Sequence, residues 1–445
     1  MRIVIAGAGQ VGSHLAKLLS NEAQDILIID ADVSRLQDLD SKYNLLTLEG
    51  NPTSFQVLRD ADVAHCDLFI CVMPSEANNV LACAMAKALG AKRTVARIEN
   101  YGFMEKPNFE MIKNFGVDNL IYPEYLAAQQ IITALKRPWV RQWFEILNGE
   151  IVVVAVRIRS NATLCGMQLK DFAYSHHNFH VSAIKRGKET LIPRGNDRMA
   201  AEDILYFTTR KENVESLIEL TGKKVTKVKN VLVMGASKIA IRMAELDKGE
   251  FKFTVIDKNR ERCDQLPMRS QKFENIYCGD ARDAEVLADI GMDKFDAFIA
   301  LSNSSEVNIL TCLTAKEAGV MKTIAEVEDI QFINQAEGLN IGTVINKKLL
   351  ASSGIFQLML DSDSSTSKCL ALTDAEVIEL EVKPNSKITR AAVKDLNLST
   401  DMTLAGLIRD GHGMLVTGNT QICSGDHVVV FCLAGAIHKV EKLFS

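Results

Sequence analysis

The sequence predicts an α/β protein: two tandem Rossmann-like, doubly wound parallel-sheet domains, each followed by a small α+β domain. Three observations carry that prediction. Short, continuously apolar runs alternate with helical patterns, as parallel strands buried on both faces require. A glycine-rich turn, Gly7-Ala8-Gly9-Gln10-Val11-Gly12, directly follows the first apolar run. The whole arrangement then recurs, at an offset that stays within 227–229 residues.

In chain order, 3–6, 26–29, 45–48, 68–72, 94–98 and 119–122 read as strands of the first large module. Between the first two, Val11, Leu15, Leu18 and Leu19 share one helical face. A helix over 123–135 leaves the module before Pro138, and its second-half counterpart covers 347–360. Ser75-Glu76 and Ser305-Glu306 read as helix starts, because hydroxyls and carboxylates suit that end. In the first small module, 144–147, 151–156, 181–185 and 204–207 are strand-like, and short terminal helices are expected at 214–220 and 437–443. The polar stretch 361–368 reads as a linker and 223–229 as a basic hinge. The expected domain limits are 1–137, 138–222, 228–360 and 369–445.

The repeat is long enough to exclude a short solenoid period. Ile3–Gly12 aligns with Val231–Ala240, Asp30 with Asp257, Gly50-Asn51 with Gly279-Asp280, Asn79 with Asn308 and Arg97 with Glu326. The small modules match more weakly, with Glu202-Asp203 against Gly425-Asp426.

Composition narrows the function classes. Of 445 residues, 47% are apolar and 24% charged, which excludes wholesale disorder and fits two to four domains. No apolar run approaches the roughly 18–20 residues that span a bilayer. The start, Met1 to Gly7, reads as a strand entering a turn rather than a signal peptide, so a cytosolic location is expected. A net charge of −5 argues against a nucleic-acid or lipid surface as the main partner. The 10 cysteines form no C-x-x-C pair and read as reduced, mostly buried thiols. His176-His177-x-x-His180 could ligate a metal only if three imidazoles converged, and a polar loop is the simpler reading; no metal site is expected.

The glycine turn carries the chemistry. Gly7 permits the tight turn, Gly9 leaves a close path for a diphosphate, and Gly12 lets the helix pack on the strand. The helix N-terminus offers N–H groups and positive dipole character to that diphosphate. Asp30, 18 residues beyond Gly12, can accept from a ribose diol and would repel a 2′-phosphate, which favours NAD over NADP. The second copy departs from this pattern: Ser237 replaces Gly9 and Ala240 replaces Gly12, while Asp257 is kept. Either the two sites differ in affinity or ligand, or the second is an empty scaffold. Arg97 could meet a ligand phosphate or close a salt bridge at the sheet edge. Neither small module shows an obvious proton-donor constellation, so the nucleotide reads as a signal and no catalytic residue is assigned. A catalytic NAD-dependent dehydrogenase is the runner-up. A regulator of another cation channel or antiporter is a third reading.

From the 3–12 turn, Asp30, Ala96-Arg97-Ile98, the duplicated modules and the final stretch 418–431, the chain resembles the TrkA family, the peripheral NAD-binding subunits of bacterial Trk potassium uptake systems. The resemblance implies two tandem RCK (regulator of potassium conductance) units. It further implies a homo-oligomer, a tetrameric ring, seated on the cytoplasmic face of a membrane subunit of the TrkH or TrkG type and gating it on nucleotide binding. Carried onto this chain, the family's NAD(H) contacts map to Gly7, Ala8, Gly9, Gln10, Val11, Asp30, Met73, Pro74 and Arg97, joined as candidates by Gly12 and Asn51. Met73-Pro74 stands where the family usually has small hydroxyl residues. In the second copy the candidates are Gly235, Ala236, Ser237, Lys238, Ile239, Asp257, Asp280, Ser302 and Asn303. ATP or ADP at the same or the second site is also implied, since all share a diphosphate and an adenine ribose.

Overall fold

The computed structural model describes every residue except 21–24, 147–148, 188, 224–226, 361–369, 373–374, 434–435 and 445. The expected linker 361–368 and the centre of the hinge 223–229 lie outside the described residues. The chain divides into two compact units, one holding Met1–Ala127 with the helix Lys347–Leu360, the other holding Ala128–Asn346 and the last small domain.

In the first unit, β1 (Arg2–Ala6), β2 (Asp25–Asp30), β3 (Leu46–Glu49), β4 (Leu68–Cys71), β5 (Arg93–Arg97) and β6 (Asn119–Ile121) form one sheet in the order β3-β2-β1-β4-β5-β6. Every pairing is parallel. The order reverses between β1 and β4, and the crevice above such a switch point is where open α/β sheets bind ligands. Ile3, Val4, Ile5 and Ala6 are wholly buried, which is why the strand reads as an unbroken apolar run. The helix Gln10–Ser20 buries Val11, Leu15 and Leu19. Leu18 is only half-buried, at the margin of the predicted face. Ser75 caps the helix Glu76–Leu89 by accepting from Asn78 N, and Gly90 (φ +120°) ends it.

The second unit holds three sheets. In the first small domain β7 (Gln142–Ile146), β8 (Ile151–Arg157), β9 (Phe179–Arg186), β10 (Glu189–Leu191) and β11 (Ile204–Thr209) form an antiparallel sheet, β10-β9-β11-β8-β7. The second large module repeats the parallel order as β14-β13-β12-β15-β16-β17, with β12 at Asn230–Met234, β13 at Lys252–Asp257, β14 at Phe273–Cys278, β15 at Ala297–Ala300, β16 at Lys322–Glu326 and β17 at Thr343–Ile345. The last small domain pairs β18 (Leu370–Leu372), β19 (Ala375–Glu381), β20 (Met402–Arg409), β21 (His412–Leu415) and β22 (His427–Leu433) as β18-β19-β22-β20-β21.

The two small domains share one core, in which Ile151, Val153 and Tyr206 pack with Val377, Val429 and Phe431. Gly406 sits at the close approach: a Cβ there would lie 2.5 Å from Ile151 Cδ1. Each small domain also repeats one ion pair, between a partly exposed arginine and a buried aspartate. Arg186 grips Asp203 at 2.8 and 2.6 Å, and Arg409 grips Asp426 at 2.9 and 2.7 Å. These bidentate forks explain the repeated Asp203 and Asp426 as structural residues. The helix expected over 214–220 is shorter, Leu217–Leu220 after a 3₁₀ turn, and an extra helix, Leu169–Ser175, precedes His176. Six of the nine described cysteines are buried and all nine are free thiols. Burial pushes the Cys66 thiol up to about 12.

Candidate functional site

The site lies in the first unit, where β1, β2, β4 and β5 end. Gly7 adopts φ +111°, and a Cβ there would press within 3.2 Å of Met73 N. Gly12 has no room for a side chain, since its Cβ would fall 1.9 Å from Gly7 O. Gly9 is the opposite case: a Cβ on it would meet no protein atom within 4 Å. Gly9 is therefore not demanded by packing, and the space above it is open to a ligand. Here the residues present fit a bound dinucleotide.

Asp30 stands at the end of β2. Its Oδ2 accepts from Ala8 N at 2.6 Å and its Oδ1 from Asp32 N at 2.8 Å. The carboxylate thus fastens the glycine turn to the neighbouring strand, and it is half-exposed, with lone pairs left for hydroxyl donors. The far wall is built by Asn79, a wholly buried amide. It accepts from Met73 N at 2.9 Å and donates to Met73 O at 3.0 Å and Arg97 O at 2.8 Å. Arg97 donates to Met73 O at 3.3 Å and pairs with Glu99 at 2.8 Å. It closes a salt bridge and also lines the cleft, from an inner strand and not from the sheet edge. Glu76 orders the next turn, its Oε2 accepting from Glu99 N at 2.8 Å and Asn100 N at 2.9 Å.

These groups enclose a cleft of about 320 Å³ lined by Gly7, Gly9, Gln10, Val11, Asp30, Arg35, Val72, Met73, Pro74, Arg97, Glu99, Pro123, Lys347 and Lys348. That is at the lower end of the roughly 300–1,000 Å³ of small-molecule pockets. Eight of the sequence candidates meet there. Ala8 and Gly12 build the turn without lining it. Asn51 is turned to its own loop, accepting from Thr53 N at 3.0 Å and Thr53 Oγ1 at 2.8 Å. Arg35, Glu99, Lys347 and Lys348 were not singled out from sequence. Arg35 had a signal, since it follows Asp30 by five residues as Arg262 follows Asp257.

The second copy is arranged differently. Gly235 keeps the turn (φ +104°), its Cβ position 2.7 Å from Leu301 O. Ser237 caps the helix Lys238–Leu246, its Oγ accepting from Ala240 N at 3.3 Å. A side chain of the protein thereby takes a helix N–H that Gly9 has no means to take. Ile239 is a buried residue of that helix. Asp257 accepts from Ala236 N and Asn259 N, both at 2.8 Å, but only 7% of it is exposed and Arg262 approaches its Oδ2 at 3.8 Å. In the first copy the matching Arg35 instead pairs with Asp32 at 3.2 Å. Asp280 is committed to Arg282, whose hydrogen bonds hold its carboxyl down to about 2. Ser302 donates to Asn308 Oδ1 at 2.7 Å, and Asn303 is exposed. The helix cap here is Ser304, one residue before the expected Ser305-Glu306 start; Ser305 instead accepts from Glu328 N at 3.0 Å.

Two of the three clustered histidines, His176 and His180, make structural contacts. His176 stacks on Phe172 with ring centroids 4.9 Å apart. Burial pushes His180 down to about 4, so it is neutral at pH 7, and its Nε2 lies 3.4 Å from Thr403 Oγ1. Among the described residues no three His, Cys, Asp or Glu side chains form a metal cluster, and no helix is long and apolar enough to cross a membrane.

Comparison with known proteins agrees with this arrangement. The TrkA-N domain family matches residues 3–123 and 231–347, and the TrkA-C domain family matches 153–222 and 377–445. A Trk system potassium uptake protein TrkA homolog of Archaeoglobus fulgidus is 30% identical over the full length of both chains. TrkA of Haemophilus influenzae is 28% identical over all of this chain and 99% of its own. Among solved structures, the GsuK RCK domain superposes with a TM-score of 0.60 at 14% identity, covering 100% of this chain and 94% of that one. The GsuK channel bound to NAD gives a TM-score of 0.61 at 14% identity, covering 100% of this chain and 78% of that one. These structures share the tandem RCK fold. With paired TrkA-N and TrkA-C modules over most of its length and relatives matched end to end, the chain belongs to the TrkA family of Trk system potassium uptake proteins.

Proposed function

We propose that the chain is the nucleotide-sensing regulatory subunit of a Trk-type potassium uptake system, and that it binds NAD(H) in the cleft above Gly9. The observation that carries this reading is the contrast at Gly9: an open space over a helix N-terminus, beside a half-exposed carboxylate at the end of β2. Gly7, Gly9, Gln10 and Val11 would hold the diphosphate, Asp30 the ribose diol, and Met73, Pro74 and Arg97 the opposite side. NAD supplies no hydride chemistry in this reading; it is the signal. ATP or ADP would compete for the same cleft through the shared diphosphate.

The subunit acts as a homo-oligomer, a tetrameric ring, peripheral on the cytoplasmic face through a TrkH- or TrkG-like potassium-translocating partner. Support comes from the potassium-uptake names of its full-length relatives and from an RCK neighbour of the same fold with NAD bound. A ligand shifts such a ring only by its differential affinity for two shapes. A coupling of about 1–3 kcal/mol per site is typical. The test is calorimetric titration of the purified protein with NADH, together with capture of the membrane subunit from detergent extract. Binding near one NADH per chain without NADH oxidation is expected; sustained oxidation would favour a dehydrogenase instead.

A further inference from the structure

The helix Lys347–Leu360 follows β17 of the second repeat in sequence but is seated in the first unit. It lies along the helix Gln10–Ser20. Ser352 Oγ stands 3.4 Å from Val11 O, Arg93 donates to Leu358 O at 2.7 Å, and a Cβ on Gly354 would lie 3.5 Å from both Ile121 Cδ1 and Leu126 Cδ1. This seating brings its first two residues to the rim of the glycine cleft, and Lys348 Nζ donates to Gln10 Oε1.

Four cationic side chains line the cleft against two carboxylates, with Arg35 paired to Asp32 and Arg97 to Glu99. The helix opens on two lysines and has no acidic residue in its first turn, although its dipole disfavours cations at that end. The neighbouring helix Gln10–Ser20 also presents its positive end to the cleft and also lacks a first-turn acid. Arg35 and Arg97 line the same space. Asp30 and Glu99 are the carboxylates among the cleft-lining residues, and each is engaged in bonds given above. The first repeat's matching helix opens Pro123-Glu124 and brings Pro123 to the same cleft, so the lysine pair comes only from the second repeat's helix.

We infer that Lys347 and Lys348 are phosphate-binding residues of the first nucleotide site, lent to it by the second repeat. The inference rests on the nucleotide reading of that cleft. It assigns the ligand class more narrowly: a nucleotide whose diphosphate bridges the amino ends of two helices, one from each repeat. Ligand binding then strengthens the seating of the Lys347–Leu360 helix, and that seating strengthens binding, because linkage is reciprocal. The ligand would thus be read by a segment covalently continuous with β17.

The test is ADP and NADH titration of the full-length protein carrying Lys347→Ala with Lys348→Ala. Loss of two charge-assisted contacts should lower affinity roughly tenfold or more. The dependence of affinity on salt should also flatten, since fewer cations face the ligand. Lys347→Arg with Lys348→Arg should restore both. In the wild type, nucleotide should slow amide hydrogen exchange across Lys347–Leu360. Unchanged affinity in the alanine variant, or a loss with an unchanged salt slope that marks a packing role alone, would overturn the inference while leaving the nucleotide site standing. A wild type that binds neither nucleotide would overturn the underlying reading and this inference together.

Discussion

The two glycine turns of this chain start from the same strand–turn–helix plan and end in different chemistry. In both, an aspartate at the end of the second strand accepts the backbone N–H that follows the first glycine. In the first copy, space remains above Gly9 and the nearby Arg35 is turned to Asp32. In the second, Ser237 satisfies the helix end itself, and Arg262 faces the buried Asp257. Under the proposed function, the difference separates two jobs of the aspartate. Fastening the turn is structural and persists in both copies. Receiving a ribose needs exposure, which only the first copy offers.

A similar contrast appears where the fifth strand begins. Arg93 reaches Leu358 O. Its counterpart Lys322 donates to Pro138 O at 3.3 Å, Val140 O at 3.2 Å and Thr343 Oγ1 at 2.9 Å. Each residue thus holds a chain segment that belongs, in sequence, to the other repeat. Burial, with Arg141 and Lys223 nearby, pushes Lys322 down to about 7.

The largest effect should come from Gly12→Ala. With its Cβ 1.9 Å from a backbone oxygen, the turn must shift, at a cost of about 1–3 kcal/mol or more. Thermal unfolding would show it, and nucleotide binding would go with it. If this variant were as stable as wild type, the two turns would be interchangeable and the contrast would fail.

Next is Gly9→Val, whose Cβ meets no protein atom within 4 Å. NADH affinity should fall by at least roughly tenfold, the loss of one to two hydrogen bonds to a charged group, with the unfolding midpoint in place.

The Lys322 contrast is sharpened by pH. Its folded-state proton is released near pH 7, whereas the unfolded chain holds it to about 10.5. Between those values the unfolded state binds more protons, so this group makes stability rise with pH; below pH 7 the full cost of the buried charge applies. Lys322→Met should therefore gain on wild type at pH 6 relative to pH 9 in denaturant melts. Arg93→Met should show no such pH difference, since a guanidinium keeps its charge throughout.

The smallest effect is a gain. Ser237→Gly with Ala240→Gly frees the second helix end at about 1 kcal/mol of helix stability. A second, weaker NADH heat should appear in calorimetry.

Much of this fold is legible in sequence because burial is nearly continuous along the central parallel strands β1, β4, β12 and β15, whereas the edge strands β3 and β14 are largely exposed. The run at Ile3 to Ala6 is apolar at every position because each is sealed on both faces. The 347–360 helix is legible for its own residues, yet its destination is not, since nothing in an apolar stretch names the surface that covers it. For that reason nothing in the sequence connects Lys347 and Lys348 with the glycine turn. Gly9 and Asp30 come together at one cleft, as their spacing predicts. Asp30 over-signalled it in chemistry, because the hydrogen bond to Ala8 N already gives that carboxylate a reason to be there. The turning of Arg262 toward Asp257 depends on side-chain rotamers, which spacing does not encode.

The most direct measurement is NADH titration calorimetry on wild type and Gly9→Val, run beside thermal unfolding of both. One tight site per chain in the wild type, lost in the variant at an unchanged midpoint, is the predicted result. Two equal sites, or full binding by the variant, would contradict it.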